Sequence, residues 1–203
     1  MTMMLKAKSV GFTKGQINKI GNTIIYLAAH ISDLTKTKIL KILFLLEEAA
    51  IKKTGVPFIG LDFQLWKLGP VAKDIFIDLS ADESPIILGE FIERDSNDSK
   101  LFRAKHEFND DEFSANDIQL LDVIIKFVKD KPANYLIKHT HSTNSLWRKS
   151  ALKYGVLEQL KSELVNSTEY EVDFSLLFDN PSYLSERFED SKENLELVKT
   201  LKG

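Results

Sequence analysis

Two histidines one residue apart, His139 and His141, followed by the hydroxyls of Ser142 and Thr143, form the densest group of chemistry-capable side chains in this 203-residue sequence. On a strand both rings would turn to one face, as a metal site requires. The apolar steps from Ala133 to Ile137 instead predict a helix, where positions two apart diverge by about 200°. The expectation is therefore no metal, with one of the two histidines packed near Trp147. A hydrolase would have to draw on His141 with Ser142 or Thr143 and Asp122, but nearness in sequence supplies no catalytic geometry. The acids Asp110, Asp111 and Glu112 precede a helix, where they suit the dipole at its N-terminus. Glu47 and Glu48 stand on an apolar helix with Lys41, and one of them is a candidate partner for that lysine across another element. Nine scattered glycines match no phosphate-binding loop. With no cysteine, thiol nucleophiles, disulfides, iron–sulfur clusters and thiolate zinc sites are excluded. The residues predict no cofactor and display no catalytic apparatus.

The elements that must position these groups read as mainly helical. Ile17, Ile20, Ile24, Leu27, Ala28 and Ile31 recur at three- and four-residue steps and predict an amphipathic helix over 14–31. A second helix, capped by Thr35 or Thr37 and stopped by Gly55 and Pro57, is apolar on nearly every face from Ile39 to Leu46 and belongs at the centre of a bundle. Its interior Lys41 must snorkel outward or find a carboxylate, because burying an unpaired ammonium costs several kcal/mol. Alternation between Phe58 and Lys67 predicts a half-buried strand; Gly69 breaks it, and Pro70 is expected to open a helix running to Leu79. Runs at 86–93 and 101–108 predict a hairpin with a polar tip. Helices follow over Ser114 to Lys131, Pro132 or Ala133 to His141, Ser145 to Tyr154, and Val156 to Val165. The fold class is mainly α with a small β element, α+β, a helical bundle carrying one or two short β-hairpins. The domain reading is an N-terminal lead over 1–14, a helical domain over 15–165, and an acidic appendage over 166–203 that packs on the body or on a partner.

Composition suits a globular domain: 43% hydrophobic and 28% charged residues supply a core and a solvated surface. The net charge of -3 is uneven. Residues 1–60 carry nine lysines against Asp33, Glu47 and Glu48, whereas from Val156 onward eleven acidic residues face five basic ones. A lysine-decorated helix surface explains the basic half without invoking nucleic acid. The longest apolar block is interrupted by Lys41 and no signal-length stretch follows the start, so no membrane partner is expected and the cytoplasm is the expected compartment.

The run Lys38 to Leu46, the segment Gly55 to Gly60, and above all Phe63-Gln64-Leu65-Trp66-Lys67-Leu68-Gly69-Pro70-Val71 resemble the Panacea domain of the SocA-like antitoxins. Phe113-Ser114 opening a helix, then His141 and Trp147, extend the likeness over about 15–155. The sequence departs from the family at Leu68, where an aromatic is usual, at Leu65, where a small residue is, and at Leu146, which replaces a proline. The resemblance implies a non-enzymatic antitoxin-like module that binds and neutralises a cognate toxin encoded beside it. One family type resembles an adaptor that delivers the toxin to a AAA+ protease. The motif residues are Lys41, Trp66, Gly69, Pro70, Val71, His141 and Trp147, with structural roles first: Gly69 permits a backbone angle or close approach, Pro70 starts a helix, and Trp66 packs. Phe174, Leu177, Phe178 and Tyr183 in the acidic segment are candidate partner contacts, or else cover the chain's own core. The alternative function is a winged-helix-like DNA-binding regulator, disfavoured by the mixed charges of the 86–108 hairpin.

Overall fold

The computed structural model describes residues 11–200; residues 1–10 of the expected lead lie outside the described residues. Thr13 caps α1 (Lys14–His30) through a reciprocal box with Gln16, and its inner stripe, Ile20, Ile24 and Leu27, is fully buried. Thr35 caps α2 (Lys36–Thr54), which ends at Gly55 in the left-handed region, φ 70°. Every residue from Lys38 to Glu47 on α2 is buried, so this helix is the axis of the molecule. The other elements that pack on it are β2 (Gly69–Val71), α3 (Lys73–Asp78), α4 (Ala115–Val128), α5 (Ala133–Thr140), a 3-10 turn (Phe174–Leu177) and α8 (Tyr183–Thr200).

The expected alternation holds: Leu61, Phe63 and Leu65 are buried, while Asp62 is exposed and Gln64 and Trp66 are half-buried. Only β1 (Gln64–Trp66) is strand, however. Pro70 corrects the sequence reading. It opens no helix but lies within β2, which pairs antiparallel with β1 in the register Gln64–Val71, Leu65–Pro70, Trp66–Gly69; α3 starts at Lys73. A proline is tolerated here because β2 is an edge strand, where the missing N–H breaks no ladder.

The 86–108 hairpin is present but short, with β3 (Ile92–Arg94) antiparallel to β4 (Phe102–Ala104). Residues 86–88 are instead a loop whose three backbone N–H groups all donate to the Asp78 carboxylate at 2.7 to 3.0 Å. Ser114 and Asp117 form a capping box at the start of α4. Then come α6 (Leu146–Lys153), α7 (Leu157–Lys161), shorter than the expected Val156 to Val165, and β5 (Ser167–Glu171). Where the sequence lost periodicity, β5 adds an antiparallel strand beside β1, giving the order β2-β1-β5. On α8, Phe188 is buried and Leu195 reaches Gly60.

Candidate functional site

The motif residues converge on one feature, the turn between β1 and β2. Three captures hold it, each from a different helix. Trp147 of α6 donates its indole N–H to the Trp66 carbonyl at 3.1 Å. His141, at the C-terminal end of α5, sets Nε2 2.9 Å from the Lys67 carbonyl. Lys41 of α2 donates Nζ to the Pro70 carbonyl at 2.9 Å. The Lys67 N–H donates to the Asn166 carbonyl at 2.9 Å, so the segment leading into β5 ties down the turn as well.

Gly69 is where these helices come closest to the turn. Its φ of 98° is in the region that L side chains avoid, and a Cβ there would lie 2.8 Å from Thr140 Oγ1, 3.1 Å from His141 Cε1 and 3.1 Å from Lys41 Nζ. Both functions expected of Gly69, backbone angle and close approach, are met. Trp147 is buried and packs tilted against the His141 ring, with centroids 4.2 Å apart. Trp66 packs edge-on to Phe76 at 4.9 Å and donates to Gln64 Oε1. Val71 is buried in the core.

Lys41 neither snorkels nor meets a carboxylate, which corrects the expectation. It is 2% exposed, and burial pushes its pKa down to about 7. Glu47 is spent elsewhere. Its carboxylate accepts the backbone N–H groups of Phe58, Ile59, Gly60 and Leu61 at 2.7 to 3.0 Å, shaping the loop that feeds β1. Burial pushes its pKa up to about 6, against the opposing pull of those four bonds. Glu48 pairs with Lys52 at 2.7 Å.

The two histidines part company, as a helix requires. His139 lies against Phe127 and Tyr135, on the opposite side from the turn-holding His141. His141 faces carbonyl oxygens at both nitrogens, Lys67 from Nε2 and Ile137 from Nδ1 at 2.6 Å. A carbonyl oxygen only accepts, so it is an N–H at Nε2 that holds the turn. No hydrogen bond joins His141 to Ser142 or Thr143 among the described residues, and none of these residues forms a group of three metal-capable side chains.

What the captured turn displays is apolar. Leu68, at its tip, is 55% exposed. Beside it opens a cleft of about 310 Å³ walled by Leu40, Lys41, Trp66, Val71 and Phe76, with Thr37 and Asn166 at its polar margin. Sequence reasoning found the motif residues but not the cleft, because Leu40 and Phe76 carry no signal beyond core periodicity. The four candidate contacts in the acidic segment do not act together. Phe174 faces Phe44 and Phe63, with ring centres 6.0 and 6.3 Å away, and Leu177 packs half-buried on the core. Phe178 leans on Phe188 at 6.1 Å, and only Tyr183 is well exposed.

The arginines of the β3–β4 hairpin, and Lys105 after it, are engaged within the chain. Arg94 donates to the carbonyls of Leu79, Ala81 and Ser99, Arg103 pairs with Asp95, and Lys105 donates to the Gly89 carbonyl. No helix among the described residues is long and apolar enough to cross a membrane. No curated protein and no solved structure matches the chain. A family model described as antitoxin SocA-like, Panacea domain, matches residues 39–148, more than half of the chain and a stretch containing every residue of the captured turn.

Proposed function

We propose, from the premise that this chain belongs to the antitoxin SocA-like Panacea domain family, that it is an antitoxin-type protein-binding module acting through the β1–β2 turn. The observation that carries this reading is the capture of three turn carbonyls by side chains from three helices, around an exposed Leu68. A turn held on both strands loses little freedom when a partner covers it. Binding energy is then not consumed in ordering the loop. Leu68 and the apolar cleft beside it form a compact anchor point, which is how a few residues dominate a protein interface.

The proposed partner is a toxin protein encoded next to this chain, neutralised in the cytoplasm by occlusion rather than by chemistry. His141 and Lys41, the two most reactive-looking side chains of the motif, are engaged with backbone carbonyls, which supports a scaffolding role over catalysis. Delivery of the toxin to a AAA+ protease would add a second contact, for which Tyr183 on the exposed start of α8 is the candidate. The test is co-expression with the product of the neighbouring gene. Growth rescue and a complex that survives co-purification are expected, and a neighbour whose toxicity persists, with no complex formed, rejects the proposal.

A further inference from the structure

The cleft beside Leu68 has the composition of a small-ligand site. Its volume of about 310 Å³ falls at the lower end of the range for such sites, and its walls are apolar except for a few polar groups. One wall carries Lys41, whose single hydrogen bond among the described residues runs to the Pro70 carbonyl. An ammonium has three N–H donors. No carboxylate pairs with it among the described residues. Lys67, the other lysine lining the cleft, is already paired with Glu163 at 2.9 Å.

Buried charge is normally neutralised by a partner, because an uncompensated ion in a low-dielectric site costs several kcal/mol. Here no acid pairs with Lys41 among the described residues, while space for an apolar body lies alongside. We propose that the cleft binds a small amphiphilic carboxylate, a medium-chain or aryl acid, with its apolar part between Leu40, Trp66, Val71 and Phe76 and its carboxylate paired with Lys41. The depressed pKa of Lys41 is in keeping with this, since an arriving carboxylate restores the charged form. The ligand is selected by chemistry alone: the corresponding alcohol offers the same apolar body and no charge. Nothing in this proposal requires a toxin, so the two readings fail independently.

The test is isothermal titration of the full chain with sodium octanoate and, separately, with 1-octanol, with Trp66 fluorescence as a second readout. Saturable binding of octanoate is expected, weakened roughly tenfold in Lys41→Met, while octanol affinity differs little between the two proteins. Absence of saturable octanoate binding, or equal octanoate affinity in the two proteins, overturns the proposal. Should Lys41→Met fail to fold by circular dichroism, Thr37→Glu decides the matter. Thr37 is half-buried in the first turn of α2, where an acid suits the helix dipole, and it borders the cleft. The added carboxylate is expected to repel octanoate roughly tenfold while sparing octanol; unchanged octanoate affinity contradicts the assignment.

Discussion

Three buried ionisable side chains, Glu47, Lys41 and Asp78, each trade solvent for backbone. Glu47 gathers four N–H groups and Asp78 three. Replacing Glu47 by Gln preserves shape but turns an NH2 group toward those donors, leaving at least one unsatisfied. A loss of about 2–4 kcal/mol in urea unfolding is expected, because the substitution replaces an acceptor oxygen by a donor as well as removing the charge. Lys41 makes the opposite kind of contribution. Its folded pKa of about 7 lies below its ordinary 10.5, so between those values the unfolded chain binds more protons and stability rises with pH. Its cost is complete below pH 7 and is relieved as the solution becomes more alkaline. From pH 7 to 9, wild-type stability is expected to gain about 2 kcal/mol over Lys41→Met, read as the difference in urea midpoints.

At the scale of elements, the β1–β2 turn depends on donors from outside it. His141→Ala removes the capture of Lys67 and is expected to cost about 1–2 kcal/mol, whereas His141→Gln, whose amide reaches toward the position of Nε2, should recover much of that loss in thermal unfolding. Gly69→Ala meets both an unfavourable φ and the Thr140 hydroxyl, and about 2–4 kcal/mol of destabilisation is expected in the same measurement. Helices are the readable part of this chain because caps and periodicity are local: Thr35, Ser114 and Gly55 announce their ends directly. The strands were less so. Three-residue strands give too few alternations to fix their limits, and Pro70 looked like a helix start because edge position is a tertiary property. β5 was missed since Ser167–Glu171 is nearly all exposed and carries no apolar pattern.

For the molecule as a whole, the motif was legible in the sequence and its purpose was not. Lys41, Trp66, Gly69, His141 and Trp147 stand out through the family resemblance, yet only the folded arrangement brings α2, α5 and α6 onto the carbonyls of one hairpin. The acidic segment over 166–203 illustrates the converse. Its aromatic residues suggested a contact surface, but Phe174 and Leu177 are drawn into the chain's own core, a choice that composition cannot reveal. The exposed Leu68 is the residue by which the turn can be interrogated without touching its supports. Titrating the wild-type chain and Leu68→Asp against the purified neighbouring toxin, with circular dichroism as a control on folding, is therefore the most direct measurement. The account predicts an unchanged fold and an affinity reduced by roughly tenfold or more. Equal affinities for the two proteins would contradict it.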